Sequence, residues 1–152
     1  MQARSSSLFA LGLVSLSLVA ACDKPPEIDR VLVSRVVMLN DESSVISVTV
    51  LDESGLDDIV GVQLWSEDLA YWYGSLGEVS DGVFETTIDW GRLGQYAPIY
   101  FDFPIKRAVV VVAEDNEGGS DRKTVVFELQ CRAGEHACDG SCYPVDVNCA
   151  DL

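Results

Sequence analysis

Ser44-Val45-Ile46-Ser47-Val48-Thr49-Val50-Leu51 alternates with a period of two, placing Ile46, Val48 and Val50 on one face and Ser47 and Thr49 on the other. Successive side chains of an extended chain point to opposite sides, so this is a strand with one buried face. Comparable runs lie on either side of it. Val31-Leu32-Val33 and Val36-Val37-Met38 together read as the first strand, and Ile59–Trp65, Tyr71–Tyr73, Val83–Ile88, Ala108–Ala113 and Thr124–Leu129 follow. Turn residues separate the runs: Asp52-Glu53-Ser54-Gly55, Ser80-Asp81-Gly82, and Asp115-Asn116-Glu117-Gly118-Gly119. The last is a strong hairpin signal, because glycine supplies the positive φ angles of such turns. No window carries apolar residues at helical spacing, and Leu93–Tyr96 has room for one helical turn at most.

About seven short strands punctuated by turns predict an all-β fold, an antiparallel immunoglobulin-like β-sandwich over residues 28–130. The pattern resembles the immunoglobulin-like and cadherin-like surface modules of bacteria. It departs from antibody domains, since Ser44–Leu51 and Ala108–Ala113 hold no cysteine for an inter-sheet disulfide. Trp65, on the third strand, is the candidate for the central tryptophan of such domains.

Residues 1–21 read as an export signal. Arg4 precedes an apolar run from Leu8 to Ala21, too short for the ~20 residues that span a bilayer and suited to a signal peptide. Val19-Ala20-Ala21-Cys22 resembles the lipobox of bacterial lipoproteins. The resemblance implies cleavage before Cys22, a diacylglyceryl thioether on its sulfur, and an N-acyl chain such as palmitate. Two or more chains hold a protein stably on a membrane where one holds it marginally. Residues 22–27, with Lys24-Pro25-Pro26, form the tether. Asp23 resembles the residue that keeps enteric lipoproteins on the inner membrane, a rule other lineages do not all follow, so inner and outer membranes both stay open.

Cys131, Cys138, Cys142 and Cys149 are spaced C-x6-C-x3-C-x6-C in a tail, residues 131–152. Five cysteines leave an odd thiol in an oxidising compartment; lipidation of Cys22 leaves four that pair completely. Zinc is the competing reading, but structural zinc sites favour close ligand pairs. Three disulfide pairings satisfy the spacing. The tail has few apolar residues, so crosslinks are expected to take the place of a core. Ala137-Cys138-Asp139-Gly140-Ser141-Cys142 with Asn148-Cys149 resembles Cys-rich repeats in secreted proteins of Gram-negative bacteria, which imply no activity.

Ten Lys+Arg against 25 Asp+Glu give a net charge of −15, which argues against a nucleic-acid partner. His136 is the single histidine, and it lies among the tail cysteines. No motif pairs a nucleophile with a base, so an enzyme is not expected. In an immunoglobulin-like sandwich the loops holding Asp52, Asp57 and Asp58 and those holding Asp115 and Glu117 share one end. Oxygen ligands converging from several loops suit Ca²⁺; the plainer reading is a solvated acidic pole. No other cofactor is expected. Trp65, Tyr71, Trp72 and Tyr73, with Trp90, Tyr96, Tyr100, Phe101 and Phe103, offer aromatic platforms that resemble carbohydrate-binding modules, although sandwich cores also bury aromatics.

The chain is thus expected to be a non-enzymatic, lipid-anchored envelope protein, periplasmic or at the cell surface. Its immunoglobulin-like module would serve a structural role or meet an envelope protein partner. A calcium- or carbohydrate-binding module is the alternative. The lipid would sit at the acidic pole and the tail at the opposite, membrane-distal tip.

Overall fold

The computed structural model describes residues 24–96, 105–138 and 141–152. In chain order the strands are β1 (Glu27–Val33), β2 (Val37–Leu39), β3 (Ser43–Leu51), β4 (Ile59–Ser66), β5 (Trp72–Ser75), β6 (Gly77–Ser80), β7 (Val83–Asp89), β8 (Ile105–Asp115), β9 (Ser120–Gln130), β10 (Glu135–Cys138) and β11 (Ser141–Pro144). A single helical turn, α1 (Trp90–Gly94), follows β7. One sheet has the order β1-β3-β7-β6 and the facing sheet the order β2-β9-β8-β4-β5. These are the Greek-key orders of an immunoglobulin-like sandwich, one four-stranded sheet against a sheet centred on the last, penultimate and third principal strands.

The core lies between the two inner faces. The alternating face of β3 (Ile46, Val48, Val50) meets Val62 and Leu64 of β4, Val109, Val111 and Ala113 of β8, and Phe127 and Leu129 of β9, all at most 1% exposed. The end of the sandwich where β7 finishes is closed by α1. Asp89 caps it by accepting a hydrogen bond from the Arg92 backbone N–H at 2.8 Å, which aims Trp90 and Leu93 into the core.

The first apolar run is two strands rather than one. β1 pairs antiparallel with β3, whereas β2 crosses to the other sheet and pairs parallel with β9, Val37 opposite Glu128. Ser44 fixes the crossover. Its fully buried hydroxyl donates to the Arg35 carbonyl at 2.7 Å and accepts from the Arg35 N–H at 3.1 Å, while Ser34 Oγ accepts from the Val45 N–H at 2.9 Å. Trp65 also departs from expectation. Val62, Leu64 and Ser66 hold the inward phase of β4, so Leu64 fills the central position and Trp65 faces outward. The buried tryptophan is Trp90, whose Nε1 donates to the Met38 carbonyl at 3.3 Å.

Of the three expected glycine turns, two close hairpins, and the third, with Gly55 at φ 118°, lies between β3 and β4. Gly82, between β6 and β7, has φ +69°, and a Cβ there would stand 2.8 Å from the Val50 carbonyl oxygen. Gly118, between β8 and β9, has φ +85°.

The tail is a hairpin, β10 paired antiparallel with β11. Its disulfides are Cys131–Cys142 and Cys138–Cys149, with Cα separations of 5.6 and 5.4 Å. Of the three pairings compatible with the spacing, the interleaved one is present. The tail also shares the sandwich core, since Cys131, Ala137 and Cys142 pack against it, and Arg132 pairs with Asp41 in the β2–β3 connection.

Candidate functional site

The start of β1, the β3–β4 connection and the β8–β9 turn gather at one pole, as the registers Glu27 with Leu51 and Ile59 with Asp115 require. The acidic candidates stand here, largely engaged by the backbone. Asp115, 6% exposed, accepts at Oδ1 from the Glu117 N–H at 2.9 Å and the Gly119 N–H at 2.7 Å, which shapes the turn. Asp58 accepts from the Asn116 side chain at 2.8 Å and, through its carbonyl, from the Asn116 N–H at 3.0 Å. Asp52 Oδ1 accepts from the Ser54 N–H at 2.8 Å, and its buried Oδ2 has no hydrogen-bond partner among the described residues. Asp57 lies with Asp58 in a short 3-10 turn. Asp121 receives the Ile28 N–H at 2.9 Å and so ties the start of β1 to this pole. Lys24 pairs with Glu53 at 2.6 Å, which holds its ammonium above the usual lysine range.

The opposite pole is aromatic. The turn from β4 to β5 is held by Asp68, whose Oδ1 accepts from Ser66 Oγ at 2.5 Å and the Ala70 N–H at 3.1 Å. Those two bonds, the hydroxyl first, hold its carboxyl below the ordinary aspartate value. The turn passes through Leu69 at φ 58° and presents Tyr71, 43% exposed. Tyr71 stacks on Tyr96 with centroids 5.1 Å apart and planes 12° from parallel. Beside the pair opens a cleft of about 390 Å³ lined by Asp68, Tyr71, Tyr73, Lys106 and Arg107 among others. Burial raises the Tyr73 phenol above its ordinary value, with Arg107 opposing. Tyr100, Phe101 and Phe103 lie outside the described residues, as does Cys22.

A third feature escaped the sequence reading. Val110 and Val112 are 7% and 4% exposed yet belong to no part of the inter-sheet core. They point outward from β8 and are covered by cross-strand neighbours, Trp65 and Thr124 beside Val110, Gln63 and Arg122 beside Val112. Trp72, opposite Trp65, and Val126 extend this outer layer to solvent at 48% and 49% exposure. The signal was the unbroken run Val109–Val112, which marks a strand buried on both faces.

Among the described residues, one group of three metal-ligating side chains converges within 4.8 Å: His136, Cys138 and Cys149. The two cysteines are joined as a disulfide.

Comparison with known proteins defines the architecture. The PKD domain of an M14-like peptidase from Thermoplasmatales archaeon SCGC AB-540-F20 superposes with a TM-score of 0.50 at 14% identity, covering 71% of this chain and 98% of that domain. The fold is immunoglobulin-like and similar to a PKD domain. No family model matches the sequence, and no curated protein matches it.

Proposed function

We propose that the chain is a lipid-anchored protein of the bacterial cell envelope that presents its immunoglobulin-like sandwich as a non-enzymatic interaction or structural module. The observation that carries this reading is the pairing of Cys131 with Cys142 and of Cys138 with Cys149. It uses every cysteine except Cys22, the residue that follows Val19-Ala20-Ala21. Disulfides of this kind persist in an oxidising compartment, and a thioether on Cys22 removes the leftover thiol. The polarity of the sandwich supports the arrangement, with the chain entering at the acidic pole and the tail at the other. The outer face of this sheet, where Trp72 and Val126 reach solvent beside the half-buried Trp65, is the surface suited to a protein partner, apolar and aromatic in a strongly acidic molecule.

Intact mass spectrometry of the membrane-extracted protein tests the reading. The expected mass is that of a chain beginning at Cys22, increased by its acyl groups and reduced by four hydrogens for two disulfides. A cytosolic chain retaining Met1 and free tail thiols would overturn it. The exposed stacked pair Tyr71–Tyr96 beside its cleft favours carbohydrate as a second ligand class, since flat aromatic faces pack on sugar rings. Glycan-array binding lost in Tyr71→Ala supports that reading, and an array without signal removes it.

A further inference from the structure

The two tail disulfides stand in different surroundings. Cys131 and Cys142 are half-buried and packed against the sandwich core. The other pair is asymmetric, with Cys138 at 3% exposure and Cys149 exposed. A ring nitrogen of His136 and both sulfurs lie within 4.8 Å of one another. An open cleft of about 540 Å³, lined by His136, Asp146, Asn148 and Cys149 among others, leads to this sulfur.

We propose that Cys138–Cys149 is a thiol-exchange site for a dithiol reductant, with Cys149 the sulfur attacked and His136 the proton donor to the leaving Cys138, while Cys131–Cys142 stays closed. Exchange proceeds by attack of a thiolate on a disulfide sulfur opposite the sulfur that leaves. The incoming thiolate bonds to Cys149 Sγ, the Cys138–Cys149 bond breaks, and Cys138 departs with the electron pair. A thiolate left in a buried position lacks solvation and is disfavoured. The imidazolium of His136, through one water or a small ring rotation, gives its proton to Cys138 and recovers one from solvent. The second thiolate of the reductant then attacks its own sulfur in the mixed disulfide, closing a disulfide in the reductant and releasing Cys149 as a thiolate, which takes its proton from solvent. Two electrons pass from dithiol to protein, and both cysteines end as thiols. Tyr143 lies opposite His136 across the hairpin, and Asp146 lines the same cleft.

The test uses the full chain, oxidised, exposed to limiting dithiothreitol, quenched in acid at intervals, alkylated and mapped by peptide mass spectrometry. Cys138 and Cys149 should be alkylated at least ten-fold faster than Cys131 and Cys142. His136→Gln should slow the first pair about ten-fold, with the second pair and the melting temperature unchanged. Equal rates for the two disulfides, or earlier opening of Cys131–Cys142, would overturn the proposal. So would an unchanged Cys138–Cys149 rate in His136→Gln. The site does not depend on the anchor at Cys22: a chain with both disulfides and no acyl mass would overturn the anchor and leave this proposal standing, while equal reduction rates would overturn this proposal and leave the anchor standing.

Discussion

Asp115 shows how one carboxylate sets local structure at the acidic pole. Its Oδ1 accepts two backbone N–H groups within the β8–β9 turn. Replacing it with alanine leaves those donors without their partner, at about 1–3 kcal/mol for a group this buried. Thermal melts of Asp115→Ala should show that loss to the same extent with millimolar Ca²⁺ and with chelator. A Ca²⁺-dependent difference would mean that the pole holds the ion. Glu42 makes a separate prediction. The Leu39 N–H, first, and Arg35, second, hold its carboxyl below the ordinary value of 4.5. The folded chain therefore takes up this proton less readily than the unfolded chain. The associated stability is complete above pH 4.5 and is lost as pH falls through the folded value. Glu42→Gln keeps an acceptor for the Leu39 N–H but cannot titrate. Its melting temperature should fall less steeply than that of the wild type on the acid side of pH 5, a comparison made by parallel melts across pH.

At the scale of elements, the phase of β4 invites a direct check. Leu64→Ala removes a fully buried side chain and should cost about 2–5 kcal/mol, whereas Trp65→Ala, on the outer face, should cost markedly less in denaturant titrations. The strands were legible wherever alternation or valine content was strong, as in β3, β7, β8 and β9. The interior phase of β4 was not, because Ile59, Val60, Val62, Leu64 and Trp65 offer apolar residues to both faces. β6 escaped notice for the opposite reason: all four of its residues are exposed, so burial left no pattern to read. The break between β1 and β2 depends on hydrogen bonds from Ser34 and Ser44, which periodicity does not reveal. In the tail, the cysteines announced crosslinks, and Asp139-Gly140 between β10 and β11 was an available hairpin signal. The pairing became visible only with the register of that hairpin. Each disulfide closes a span with a sequence separation of 11, for which the chain-entropy model gives roughly 3 kcal/mol. Replacing Cys131 and Cys142 together with serine should therefore lower tail stability by about that amount or more, since the pair also packs on the core. Loss of hydrogen-exchange protection in β10 and β11, with β3 and β8 still protected, is the expected readout.

For the whole molecule, the two poles differ in kind. One is acidic and receives the chain; the other is aromatic, closed by α1 and the crosslinked hairpin. If Cys22 is held at a membrane, a protease added to intact anchored protein should reach the tail before the 52–58 loop, and equal cleavage of both would count against this orientation. The parallel pairing of β2 with β9 has a mechanical consequence. Tension applied between the tether and the far tip would pull β1 and β2 toward one pole and β9 toward the other, along the strand axes. The bonds of both ladders would then be loaded together in shear instead of unzipping one at a time, a geometry suited to a link that must bear load between a surface and whatever grips its outer end.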